Sequence, residues 1–131
     1  MSELVVNLYS FGYQFSGIPE DLSDNNGGFV FDCRFLPNPG REPAFYALTG
    51  RDREVIDYLE PFPQVQQFLK NIFSIIDMVI SNYKQREFTN LMISFGCTGG
   101  QHRSVYCAEQ LKKHIHTQGV TVNLHHIEQD F

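Results

Sequence analysis

The sequence predicts an α/β fold, a mainly parallel sheet of about four strands with crossover helices, in a single domain over residues 1–131. Three observations predict it. Four short runs dense in β-branched and aromatic residues read as strands. Stretches with apolar residues at helical spacing separate the later runs. A glycine-rich turn leads from the third strand into a helix, the join expected where parallel strands are linked by crossover helices.

The elements follow in order. Leu4 to Phe11 reads as the first strand. Gly12 to Gly28, with Gly17, Pro19 and Ser23-Asp24-Asn25-Asn26-Gly27-Gly28, is a loop. Phe29 to Phe35 is a second strand, stopped at Pro37-Asn38-Pro39-Gly40, since two prolines end any ladder. Ala47 to Gly50 is a loop, and Asp52 is placed to cap a short helix through about Leu59. Pro61 suits the first turn of a long helix to about Tyr83. Along it Val65, Phe68, Leu69, Ile72, Ile75, Ile76, Val79, Ile80 and Tyr83 make a broad apolar face. Asn90 to Phe95 is the third strand. Gln101 to Thr117 is a helix with Val105, Ala108, Leu111 and Ile115 on one side, ended by Gly119. Val120, Val122 and Leu124 alternate with polar residues as a final strand. In such sheets ligands sit beyond the carboxyl ends of strands, here the loops Leu36–Arg41 and Gly96–Arg103.

Twelve Phe and six Tyr argue for a packed core rather than disorder. A net charge of −5 opposes a broad nucleic-acid surface but permits a small positive pocket. Cys33, Cys97 and Cys107 are too few and too scattered for a disulfide framework or a zinc site. The start, Met-Ser-Glu-Leu-Val-Val, lacks the basic and small-residue features of a leader. The most apolar helix carries Lys70, Asn71 and Asp77, so no membrane span is expected. The expectation is a cytoplasmic protein with reduced thiols, no metal and no cofactor, compatible with a homo-oligomer.

The densest chemistry lies in Phe95-Gly96-Cys97-Thr98-Gly99-Gly100-Gln101-His102-Arg103-Ser104. A helix start presents unpaired N–H groups and the positive end of the dipole. Gly99 and Gly100 let a ligand approach the backbone. Arg103 offers a bidentate fork, Thr98 and Ser104 hydroxyls, and His102 a second donor. Each of these favours an anion. A bare steric turn would need the glycines but not the flanking Cys, Thr, His, Arg and Ser.

Cys97, five residues, then Arg103-Ser104 resembles the phosphate loop of cysteine-dependent phosphatases. That resemblance implies Cys97 as nucleophile and Arg103 as phosphoryl clamp. Gly96 stands where those enzymes usually have His, His102 where they have Gly, and no Asp sits in an obvious general-acid loop.

A second likeness covers nearly the whole chain. Ser10-Phe11-Gly12-Tyr13 with Gly17-Ile18-Pro19, Val30 through Pro39, Leu48-Thr49-Gly50-Arg51-Asp52, and Gly96 through Tyr106 continued by Glu109-Gln110-Leu111 occur in family order. With these stretches the chain resembles the C-terminal domain of the RapZ family, RNase adaptor proteins with an N-terminal nucleotide-binding domain. The resemblance implies a phosphosugar-sensing domain for glucosamine-6-phosphate or a similar anion. It implies that Thr98, Gly99, His102 and Arg103 line the pocket, with Asp32 and Arg34 beside it. It also implies small-RNA binding. The family's RNA-binding members, however, end in a Lys/Arg-rich tail, whereas this chain ends His125-His126-Ile127-Glu128-Gln129-Asp130-Phe131, which argues against RNA. The family often has a ligand-site His where Gly40 stands, a departure that either changes which ligand fits or leaves Arg41 to substitute. No Gly-x4-Gly-Lys-Ser/Thr occurs, so nucleotide hydrolysis is not carried over.

Asp32 and Arg34, two apart on one strand face, suit either ligand contact or a self-satisfied ion pair. Cys33 and Cys107 read as core. His125 and His126, neighbours on a strand, point to opposite faces and do not chelate together. His114 and His116 read as solvated, and Phe29, Phe31 and Phe35 as core rather than a base-stacking surface. The functional expectation is a ligand-sensing module rather than an enzyme, binding a phosphorylated small molecule, a sugar phosphate. Its site comprises Thr98, Gly99, Gly100, Gln101, His102, Arg103, Ser104, Asp32 and Arg34, and it regulates a partner protein or RNA. The alternatives are the Cys97–Arg103 phosphatase and an interaction domain for a separate P-loop chain.

Overall fold

The computed structural model describes residues 3–131; Met1 and Ser2, part of the stretch read as lacking a leader, lie outside the described residues. Four parallel strands form one sheet in the order β2-β3-β1-β4: β1 Val5–Gly12, β2 Phe29–Asp32, β3 Asn90–Cys97 and β4 Thr121–His126. Three helices accompany them: α1 Arg53–Leu59, α2 Pro63–Gln85 and α3 Arg103–Ile115. The expected α/β fold is therefore present, and the sheet is wholly parallel among the described residues.

Alternation along the strands sorts the side chains. Val6 and Leu8 of β1 and Leu91, Ile93 and Phe95 of β3 point to one face and join Ile72 and Ile76 of α2 with Ala108 and Leu111 of α3 in one core. Each fully buried aliphatic side chain there contributes about 1.5–3 kcal/mol relative to exposure. The five buried positions of α2 (Val65, Leu69, Ile72, Ile76, Ile80) recur at helical spacing, which is why this stretch is helix and not strand. Just before β2, Gly28 extends the parallel register beside Met92 of β3, so close that a built Cβ would run into the Met92 carbonyl oxygen.

Several boundaries differ from the sequence expectation. β2 ends at Asp32, not Phe35, because the Asp32 carboxylate accepts the Arg34 amide at 2.9 Å and turns the chain. Phe35 is consequently 62% exposed rather than core, although its ring meets Phe68 edge-on. The long helix begins at Pro63, not Pro61, with Phe62 extended before it. Asp52 precedes α1 but does not cap it; its carboxylate accepts the Thr49 amide at 2.7 Å and closes the preceding turn. α3 starts at Arg103 rather than Gln101 and ends at Ile115, so Gly119 (φ +69°) belongs to the turn into β4. His114 is only partly solvated: it stacks on Phe73 at 4.2 Å and its Nε2 lies 2.9 Å from Asp77.

The topology places the site. β1 connects toward β2 and β3 connects toward β4, so the two connections leave in opposite directions from adjacent strands. Their ends, Gly12 and Cys97, are register partners. This is the switch point of the sheet, where open α/β folds hold ligands.

Candidate functional site

Beyond Cys97 the chain makes a turn, Thr98 to His102, before α3 begins. Gly100 has φ +70°, and a Cβ there would lie 2.7 Å from the Gly12 amide nitrogen. Only glycine fits this backbone against the end of β1. Gly99, by contrast, has room for a side chain: a built Cβ meets only Phe15, in ordinary contact at 3.9 Å. The amides of Thr98, Gly99, Gly100 and Gln101 donate to no protein group among the described residues. The turn therefore carries four consecutive backbone N–H groups with no protein partner among the described residues, just ahead of α3 and beside an opening.

The three side chains that follow each hold a neighbouring loop. Gln101 donates its amide to the carbonyls of Tyr46 (2.8 Å) and Leu48 (2.7 Å). His102 uses Nε2 toward the Phe45 carbonyl at 2.9 Å, which requires a proton on that nitrogen and leaves Nδ1 facing Gly40. Arg103, only 5% exposed, donates from Nη1 to the carbonyls of Arg34 (2.7 Å) and Leu36 (3.1 Å). Its Nη2 reaches Thr98 Oγ1 at 3.5 Å. The guanidinium is thus partly committed to the loop after β2 and keeps its remaining donors for the cleft.

These elements enclose a cleft of about 330 Å³. Of the residues expected from sequence, Thr98, Gly99, Gln101, His102 and Arg103 line it together with Cys97. Gly100 supports the turn from behind. Ser104 is fully buried, its hydroxyl 3.1 Å from Cys97 Sγ. Asp32 and Arg34 pair with each other at 2.7 Å, both about half exposed, and Arg34 stacks on Tyr13 at 3.8 Å. The Arg34 hydrogen bond, set against burial, holds the Asp32 carboxyl below its ordinary value. Arg34 lines a second cleft next door rather than this one.

Sequence reasoning missed Tyr46 and Asn38 as lining residues, Asn38 lying inside a named loop with no chemical signal of its own; Gly40, the position where the family often has His, lines the cleft. It also missed Gly50, whose Cβ would run into the His102 carbonyl and the Tyr106 amide. Gly50 brings the loop before α1 onto the first turn of α3, donating its own amide to Gln101 at 2.9 Å. The remaining cysteines are core, and burial pushes the Cys33 thiol well up.

An α/β domain with a wholly parallel sheet and a cleft at its switch point, edged by His102 and Arg103, is the class of protein the structure defines. The family profile described as the RapZ C-terminal domain matches residues 4–130, and the chain belongs to that family. It is similar to proteins named nucleotide-binding protein. One from Solibacter usitatus is 42% identical over 125 residues, covering 95% of this chain and 37% of that protein. One from Thermotoga petrophila is 40% identical over 117 residues, covering 89% and 40%. One from Clostridium acetobutylicum is 40% identical over 131 residues, covering 98% and 42%. The chain spans about 40% of the length of these relatives. Among the described residues no helix is long and apolar enough to cross a membrane.

Proposed function

We propose that this domain senses a phosphorylated small molecule, a sugar phosphate such as glucosamine-6-phosphate, in the cleft at Cys97–Arg103. The observation that carries this reading is the run of unpaired amides from Thr98 to Gln101 beside the cleft that Gly99 lines. The phosphoryl oxygens take these amides, the free N–H groups of Arg103 and Thr98 Oγ1. His102 Nδ1, facing Gly40, reads the rest of the ligand. Gln101, His102 and Arg103 also hold the loops at 45–48 and 34–36, so occupancy stiffens both loops at once. That coupling is how ligand binding would reach a partner protein or RNA.

The test is a thermal-shift titration with inorganic phosphate, sulfate and a panel of sugar phosphates, because a ligand bound only by the native state raises the melting temperature by mass action. It is run on the wild type and on Gly99→Val, which adds bulk at a cleft-lining position where a Cβ meets only Phe15, at 3.9 Å. A shift with a sugar phosphate that vanishes in the variant supports the site. No shift with any anion removes it.

A second reading, a cysteine-dependent phosphatase, draws support from one distance: Ser104 Oγ lies 3.1 Å from Cys97 Sγ, placed to hydrogen-bond a thiolate. Against it, Arg103 spends Nη1 on two backbone carbonyls instead of aiming both nitrogens at the sulfur. Hydrolysis of p-nitrophenyl phosphate, lost in Cys97→Ser, would establish it.

A further inference from the structure

A third cleft, about 280 Å³, lies where β4 ends, between α3, the loop before α1 and the segment that follows β4. It shares no lining residue with the other two. Three basic side chains line it: Arg51 from the loop, Lys112 from α3 and His125 from β4. Arg51 is positioned but not spent. Its guanidinium lies over the Phe131 ring at 4.2 Å, and its Nε stands 3.9 Å from Glu109, close enough for attraction but too far for a hydrogen bond. Its side chain donates no hydrogen bond among the described residues. Lys112 is exposed and forms no ion pair among them. Glu109, the acidic side chain in the cleft, is engaged elsewhere. Its Oε2 takes the Nε2 proton of buried His126 at 2.7 Å, and His126 Nδ1 in turn accepts the Ser10 hydroxyl at 2.5 Å. This chain of bonds fixes the carboxylate against the sheet and keeps it from closing on Arg51.

A guanidinium fork with open donors beside an ammonium is the donor set that recognises a compact oxyanion. Two permanent cations facing one committed carboxylate also make this a locally positive place in a chain of net charge −5. The apolar lining is Leu124 and the Phe131 ring, which Arg51 covers, too little to seat a large apolar body. We infer that this cleft is a second anion site, separate from the one at Thr98–Arg103, and that it takes a phosphate or a small di- or tricarboxylate on Arg51, Lys112 and His125. The assignment stands apart from the ligand of the first cleft, since the two have no residue in common.

The experiment is an NMR titration that resolves the backbone amides, with sodium phosphate, succinate and citrate added at constant ionic strength so that screening stays level. It uses wild type, Gly99→Val, Arg51→Ala and Lys112→Ala, each first checked for an unchanged melting temperature. The amides of Arg51, Lys112 and His125 report the third cleft, and those of Thr98 to Gln101 the first. At least one of the three anions should shift the 51, 112 and 125 amides saturably, and equally in wild type and Gly99→Val. Its affinity there should fall on the order of tenfold in Arg51→Ala and again in Lys112→Ala, the loss expected for one charge-assisted contact. A response to phosphate alone assigns a phosphate group, and a response to succinate or citrate a carboxylate ligand. No saturable shift at these amides with any of the three, or one that survives either substitution, overturns the site. Movement of the 98–101 amides alone overturns it too, and leaves the first cleft standing.

Discussion

Arg103 donates its Nη1 hydrogens to the Arg34 carbonyl at 2.7 Å, tying the first turn of α3 to the loop that leaves β2. The Leu36 carbonyl receives the same group at 3.1 Å. An arginine in this motif invites a purely ligand-directed role, but here it is also a structural clamp. Arg103→Ala would strand buried carbonyls and remove a charge-assisted contact, a loss of about 1–3 kcal/mol. Arg103→Lys restores the charge but not the fork, since an ammonium reaches the two carbonyls less well. Urea denaturation of the two variants should rank wild type above Lys and Lys above Ala. Equal stability of all three would show that the clamp carries no energy.

The neighbouring glycines should separate fold from function. Gly100→Ala meets both a left-handed backbone (φ +70°) and the Gly12 amide at 2.7 Å. Its destabilisation should exceed about 1–3 kcal/mol, the ordinary cost of backbone strain at such a position, because the steric contact adds to it. Gly99→Ala makes only an ordinary 3.9 Å contact with Phe15 and should melt within a degree or two of wild type while weakening anion binding. Paired melting and titration curves on the two variants read this directly. A folded, fully binding Gly100→Ala would contradict the packing described.

Acid stability should carry the signature of Glu128. Burial raises its carboxyl, but the Gly12 and Ser16 amides at 3.0 Å and the Ser16 hydroxyl at 2.9 Å outweigh that and leave it below its ordinary value. A group depressed in the folded state binds more protons when unfolded over that window. Its stabilisation is complete above the usual glutamate value, near pH 4.3, and is lost as the pH falls through the lower folded value. Melting temperatures measured from about pH 6 to pH 3 should fall more steeply for wild type than for Glu128→Gln, whose amide does not titrate. Parallel curves would remove Glu128 as the source.

Cys97→Ser distinguishes binding from catalysis. The sulfur is nearly buried and faces Ser104. Under the sensor reading the variant should bind sugar phosphates within about twofold of wild type, since the phosphate is held by amides that the substitution does not move. Wild type should release no p-nitrophenol from p-nitrophenyl phosphate. Turnover by wild type that disappears in Cys97→Ser would transfer the assignment to the phosphatase.

His126 illustrates where linear reasoning stops. Alternation places His125 and His126 on opposite faces and argues against a chelate, and the strand indeed exposes one and buries the other. What alternation does not reveal is that buried His126 joins Ser10 Oγ at 2.5 Å and Glu109 Oε2 at 2.7 Å, partners 116 and 17 residues away. The hydrogen bond from His126, working against burial, lowers the Glu109 carboxyl. Sequence distance hides such pairs because no local period connects them.

The sequence by itself determined the fold class, the helix faces and the turn at Cys97, because these depend on short-range periods and on residues concentrated in one segment. Strand alternation, the α2 stripe and the Gly-rich run before Arg103 are all readable within a window of a few turns. Only the tertiary structure decided how the turn's side chains are spent. Gln101, His102 and Arg103 each bond to a carbonyl between 53 and 69 residues away, so side chains the sequence offers for an anion hold loops. It also decided that Asp32 turns the chain after β2, exposing Phe35 and opening the second cleft. The reason is the same in each case: a hydrogen bond to a backbone carbonyl depends on where the chain returns in space, and a carbonyl has no side-chain letter to read.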